Sequence, residues 1–331
     1  MSNATESAED RLIARYFRPL ATDPGAFRLG DDTAVLTPPP GCDLVLTTDG
    51  VIAGVHFFPG DPAESIGRKA LRMNLSDLAA KGAAPAGFLL SLALPRGTDE
   101  SWIAAFAKGL SEDIAHYGCP LLGGDTDHTP GPLSVSIAAF GTVPHGKMVR
   151  RSTAKPGDAV VVTGTIGDAA LGMKLRGDPS LAKGWRLAEA MVAYLEARYL
   201  LPQPRNALAT AVLQHAGAAM DVSDGLAGDL AKLCGASAVA AEIDVARMPL
   251  SDGARAAVGA DSAQIETVLT GGDDYEIVLT LGPEKLAGFL AAATGAGIAV
   301  TEIGKVHAGE GARFIREGKP LAFARPSYSH F

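Results

Sequence analysis

The chain has 331 residues, enough at roughly 150 per domain for about two domains with a sizeable core. Its 29 Lys and Arg stand against 37 Asp and Glu, a formal net charge of -8 with a pI of about 5.4, which argues against a nucleic-acid backbone or an anionic membrane as the main partner. With 47% hydrophobic and 20% charged residues, large-scale disorder is excluded.

Strand-like and helix-like runs alternate along the chain, which predicts a mixed α/β protein. Residues 8–17 read as a first helix, with Ser7 as its cap and Leu12, Ile13, Tyr16 and Phe17 on one side. Residues 43–48 (DLVLTT) and 133–140 (LSVSIAAF) read as strands. Between them Asp61-Pro62 opens a helix that Gly82 closes. A third helix is expected over 98–117, with Trp102, Phe106, Leu110 and Ile114 facing the core. The apolar run 87–94 (GFLLSLAL) is a strand whose two faces, or an edge, need cover. Basic residues, Gly and Pro accumulate over 144–157, and a domain boundary is placed there. Further strands are expected near 158–163, 218–222, 240–245 and 275–280, with helices between.

Cys42, Cys119 and Cys234 lie far apart, so neither a disulfide framework nor a zinc knuckle is indicated. The polar, acidic start MSNATESAED is unlike a secretory signal, and the longest uncharged stretches fall short of the ~18–20 apolar residues of a membrane span. A soluble, cytoplasmic, reduced protein is expected.

The P-loop, G-x-G-x-x-G, H-E-x-x-H and G-x-S-x-G motifs are all missing from the sequence. In their place stand Asp residues in Gly-flanked or strand-end settings: Gly30-Asp31-Asp32, Thr47-Thr48-Asp49-Gly50, Asn74-Leu75-Ser76-Asp77, Gly123-Gly124-Asp125-Thr126, Asp221-Val222-Ser223-Asp224-Gly225 and Gly271-Gly272-Asp273-Asp274. Asp49, Asp125 and Asp221 each follow a strand candidate, where open α/β sheets place ligands. Any one of these motifs alone is read as well, or better, as a turn. Asp77 shares a helical stripe with Ile66, Ala70 and Met73, a costly place for a carboxylate without a partner or an outlet to water. Taken together, gathered carboxylates repel one another, and divalent cations relieve that repulsion. Oxygen ligands without His or Cys select magnesium, and magnesium with clustered Asp points to nucleotide polyphosphate chemistry.

At these motifs the sequence resembles the thiamine-monophosphate kinases, a family within the superfamily of aminoimidazole ribonucleotide synthetase. The resemblance runs nearly end to end, through LIARYF (12–17), GDD (30–32), TTD with GVHF downstream (47–57), NLSDLAAKGA (74–83), GGDT (123–126), RSTAKPGD (151–158), DVSDGL (221–226), GGDDYE (271–276) and SYSHF (327–331). It implies a two-domain aminoimidazole ribonucleotide synthetase-like α/β architecture. Residues 1–148 form the ATP- and magnesium-binding domain, which also dimerises, and 149–331 a domain closing over the active site. It implies transfer of phosphate from ATP to thiamine phosphate, giving ADP and thiamine diphosphate, in a homodimer needing several Mg2+ ions. Family metal ligands map to Asp32, Thr47, Thr48, Asp49, Asp77, Asp125, Asp221 and Asp224, of which Asp49, Asp77, Asp125 and Asp221 are the expected catalytic set. ATP contacts map to Gly124, Arg151, Ser223 and Tyr117, and substrate contacts to His56, Asp273 and Tyr328. Asp273 departs from a common family Glu, one methylene shorter. The competing readings are another ATP-using enzyme of the superfamily, such as the hydrogenase maturation protein, or a non-catalytic nucleotide-binding regulator. The chain ends in Tyr-Ser-His-Phe and not in the Cys expected of the former. The retained carboxylates argue against the latter.

Overall fold

The computed structural model describes residues 7–325 and 327. Ser7 starts the first helix, α1 (Ala8–Leu12), with a reciprocal cap: its hydroxyl accepts the Asp10 N–H, and the Asp10 carboxylate accepts the Ser7 N–H. The expected helix then widens into a π-turn over Ile13–Phe17 before Pro19. The chain divides into two compact units, one of residues 1–78 and 84–146, the other of 79–83 and 147–331.

The first unit is built on a four-stranded sheet of β1 (Cys42–Ile52), β2 (Ala84–Pro95), β3 (Leu121–Thr129) and β4 (Ser134–Pro144), in the order β1-β4-β2-β3. Only the β2–β3 pair is parallel. Helices α2 (Ala63–Ala80) and α3 (Glu100–Tyr117) supply its covering layer. The α3 cap is Asp99, one residue beyond the expected start, and Gly118 at φ +65° closes the helix. Alternation along β2 buries Phe88, Leu90, Leu92 and Leu94 on one face and leaves Leu89 37% exposed on the other. β2 is therefore an interior strand, not an edge, and what lacks cover is one face of the sheet.

Two strands run further than their sequence suggests. β1 continues through Thr47-Thr48-Asp49-Gly50 to Ile52, because β4 supplies a partner at every step, with Asp49 opposite Ile137. β3 likewise carries Asp125 opposite Ser91 of β2. Neither Asp49 nor Asp125 lies at a strand end, which corrects the expectation for both. Asp221 does close its strand.

The second unit has β5 (Ala159–Thr163), β6 (Ala218–Asp221), β7 (Ala240–Asp244), β8 (Ile277–Leu281), β9 (Val300–His307), β10 (Gly311–Arg316) and β11 (Lys319–Pro320), in the order β11-β10-β7-β9-β5-β8-β6. Its helices are α4 (Asp168–Gly177), α5 (Leu181–Gly184), α6 (Glu189–Leu200), α7 (Ala209–His215), α8 (Leu226–Ser237), α9 (Asp252–Ala260), α10 (Gln264–Thr270) and α11 (Pro283–Gly295). β5 and β8 are buried at every residue, so the core lies on both faces of this sheet. Ala79 and Ala80, at the end of α2, join the core of this unit beside Val149, Val212 and Phe289.

Candidate active site

In the first unit, strand alternation sorts the expected ligands onto two faces. Thr47 and Asp49 share the covered face of β1 with Val45 and Val51. From α2, Asn74 reaches the same strand, its Oδ1 accepting the Asp49 N–H at 3.1 Å. The Thr47 hydroxyl donates to the Asp77 carboxylate. Asp77 thus leaves the buried Ile66, Ala70 and Met73 stripe half-buried and hydrogen-bonded.

The opposite face lines an open groove of about 1000 Å³. Asp31, Asp32, Thr48, Ser91, Asp125 and Ser136 supply its polar wall, and Leu44, Leu46 and Leu89 its apolar wall. Gly124 is needed on packing grounds alone, since a Cβ there would stand 1.9 Å from the Leu90 carbonyl oxygen.

His56 sits in the turn after β1. Its Nδ1 accepts the Ile52 N–H at 3.0 Å, which assigns the ring proton to Nε2, and the buried Lys69 ammonium holds the His56 carbonyl at 3.0 Å. Tyr117, at the end of α3, lies under the Arg72 guanidinium, 5.6 Å from ring centroid to Cζ.

In the second unit the motifs DVSDG and GGDDYE are stitched together. The Val222 N–H donates to Glu276 O at 2.8 Å, Tyr275 N–H to Val222 O at 2.9 Å and Asp273 N–H to Ser223 O at 2.9 Å. A Cβ on Gly272 would stand 2.5 Å from the Ser223 oxygen, so the close approach requires glycine. Asp273 and Tyr275 adopt left-handed backbone, φ +71° and +50°, at roughly 1–3 kcal/mol each. Asp221, Ser223, Asp224 and Asp273 are thereby brought into one loop cluster.

Asp224 is already engaged there. Lys232 Nζ lies 2.6 Å from its Oδ2 and 2.9 Å from Oδ1 of the buried Asp229, whose carboxyl burial pushes up. Arg151 is solvent-exposed. Tyr328 lies outside the described residues. Among those residues no three His, Cys, Asp or Glu side chains gather as a metal cluster. Asn74 and Lys232 escaped the sequence reading. Asn74 stands one helical turn before Asp77 on α2, and Lys232 lies on α8, the helix that follows Asp224.

Models of the AIR synthase related protein family match both halves, the N-terminal domain over 30–143 and the C-terminal domain over 155–317. The thiamine-monophosphate kinase of Caulobacter vibrioides is 44% identical over 322 residues, 96% of this chain and 89% of that protein. The chain belongs to the thiamine-monophosphate kinase family. Among solved thiamine-monophosphate kinases, that of Stenotrophomonas maltophilia is 38% identical with a TM-score of 0.83, covering 94% of this chain and 96% of that one. The structure of AaThiL complexed with AMPPCP and TMP is 32% identical with a TM-score of 0.78, covering 91% of each chain. Among the described residues no helix is long and apolar enough to cross a membrane.

Proposed function

We propose that this chain carries the thiamine-monophosphate kinase reaction, ATP plus thiamine monophosphate to ADP and thiamine diphosphate, on the oxygen donors described above. The carrying observation is family membership across 96% of the chain at 44% identity. Asp49, Asp77 and Asp125, with Thr47, Thr48 and Asp32, are the magnesium ligands of the first unit; Asp221 and Asp224 are those of the second. This donor set fits magnesium. It is all carboxylate and hydroxyl, and magnesium takes one or two protein carboxylates per ion, completing its shell with water and phosphate, so no three-residue cage is needed. When bound, magnesium neutralises the polyphosphate and aligns an in-line transfer. Gly124, Tyr117, Arg151 and Ser223 are assigned to ATP, and His56, Asp273 and Tyr328 to the acceptor.

No strong base is required, because the acceptor phosphate is already largely ionised near pH 7. The obstacle is charge. Two unit charges at 4 Å repel by ~4 kcal/mol at an effective dielectric near 20. The residues named here bind and orient the two anions; His56 contributes an Nε2–H donor.

ADP formation is expected to require both magnesium and thiamine monophosphate. An assay with ATP and a panel of acceptors (thiamine monophosphate, thiamine, hydroxymethylpyrimidine phosphate, selenide) tests this, and equal ADP release without an acceptor would reject it. His56→Ala is expected to raise the KM for thiamine monophosphate about ten-fold and leave that for ATP within about two-fold, read by steady-state kinetics.

The open face of the first unit's sheet, with Leu46 65% and Leu89 37% exposed, is assigned to a second copy of the chain. Light scattering at micromolar concentration should give a dimer mass, and Leu46→Glu a monomer mass. A parent protein that is already monomeric removes the assignment. A cytoplasmic location follows from the same reading.

A further inference from the structure

The GGDDYE segment does more than present Asp273. Next to it, Asp274 is fully buried, and its Oδ2 accepts the Gly167 N–H at 2.8 Å while Oδ1 takes the Ala169 N–H at 3.4 Å. These are the amides of the N-cap residue and of the second residue of α4, a helix with no side-chain cap from Gly167 itself. Arg198 holds the other side of the same residue: its Nη2 donates to the Asp274 carbonyl at 3.2 Å and to Glu276 Oε1 at 2.9 Å. Glu276 is buried too. It accepts from Arg205 Nε at 2.6 Å and from the Thr163 hydroxyl at 2.7 Å. Burial pushes the Asp274 carboxyl well above the usual carboxylate range, and the Gly167 N–H works the other way.

Residues 273 and 275, on either side of this anchor, are the two left-handed ones. Left-handed backbone at non-glycine residues persists only where the surroundings over-determine it. Here they do. The amides of Asp273 and Tyr275 are tied to the DVSDG loop, and the side chain between them is tied to α4.

We propose that Asp274 is the positioning residue of the acceptor site: by capping α4 it holds Asp273 in the backbone conformation from which that carboxylate meets the cationic thiamine. The inference rests on the reading of Asp273 as an acceptor contact. A merely structural role predicts something different, a loss of stability that touches both substrates alike.

The test uses Asp274→Asn, Asp273→Asn and the double variant in the full chain. Thiamine monophosphate and ATP are varied separately in steady-state kinetics, with a thermal melt for each protein. Asn keeps the size and one acceptor oxygen but turns an NH2 toward an amide donor. Asp274→Asn is expected to raise the KM for thiamine monophosphate roughly ten-fold with the KM for ATP within about two-fold. If Asp274 acts through Asp273, the double variant is no worse than Asp273→Asn alone, because coupled residues do not add. An unchanged KM for thiamine monophosphate overturns the inference, as do equal rises for both substrates or multiplying effects in the double variant. If Asp273→Asn itself changes nothing, the reading of Asp273 falls and the inference with it. If Asp273→Asn acts while Asp274→Asn is silent, only the inference falls. Should Asp274→Asn not fold, Arg198→Lys keeps the charge and withdraws the Nη2 that bridges residues 274 and 276. It should raise the same KM several-fold, and an unchanged value there is equally decisive.

Discussion

Asp49→Asn and Asp125→Asn are each expected to lower kcat by at least ~100-fold while the protein stays folded. The fold is spared because Asn keeps the size of each side chain and the main chain of both strands is held independently of it. Asp49 is bound into β1 through its main chain, opposite Ile137 and with its N–H on Asn74, and these contacts survive the substitution. Asp125 is exposed, and its carboxylate accepts its neighbour Thr126's N–H at 3.0 Å. On the proposed assignment of both carboxylates to magnesium, activity falls because an amide oxygen carries no formal charge to offset a magnesium ion, so the repulsion between ATP and the acceptor phosphate is restored in the transition state. Circular dichroism and a thermal melt check the fold, and single-turnover rates across a magnesium titration check the chemistry. Rates near those of the parent at low magnesium would make both residues ordinary strand aspartates.

The helices of the first unit were legible because their punctuation is local. The Ser7–Asp10 cap, Pro62 and Gly82 mark their ends in the sequence itself. The strands that carry the site were harder, since Thr-Thr-Asp-Gly and Gly-Gly-Asp-Thr look like turns by composition. Gly124 is glycine for a reason that no local pattern shows: the parallel neighbour's Leu90 carbonyl occupies the space of its Cβ. The terminal strands β9 to β11 went unread, being short or rich in charged residues, without a clean two-residue period. The order of the Asp motifs, with the GVHF and NLSDLAAKGA segments, was enough to identify the family. What their order could not give is which face of a sheet each side chain takes. A slip of one residue, as between Thr47 and Thr48, reverses the face. Buried ion pairs were invisible as well, because their partners lie far apart in the chain, 71 residues for Arg205 and Glu276.

A second long-range pair in the first unit underlies the largest expected loss of stability. Asp113 on α3 is fully buried and receives Arg72 Nε at 2.6 Å and Nη2 at 2.9 Å, with Arg68 Nε at 3.1 Å. Burial works against the Arg72 charge, and the hydrogen-bonded carboxylate more than offsets it, so the guanidinium is held protonated. Asp113→Ala removes the carboxylate that receives the Nε and Nη2 of the buried Arg72. Breaking a buried pair from one side costs about 3–5 kcal/mol, and the melting temperature should fall by roughly 10 °C. On the proposed assignment of Tyr117 to ATP, the same loss reaches the nucleotide side, since the Arg72 guanidinium packs over the Tyr117 ring and is oriented by Asp113. The KM for ATP should therefore rise several-fold in Asp113→Ala, measured well below its melting point, while that for thiamine monophosphate changes little. Asp113→Asn keeps one acceptor and should fall between the parent and the alanine variant on both scales. A melting temperature within about 2 °C of the parent in Asp113→Ala would mean that Arg72 finds another counter-charge or water, and that the pair specifies helix packing more than it stabilises it.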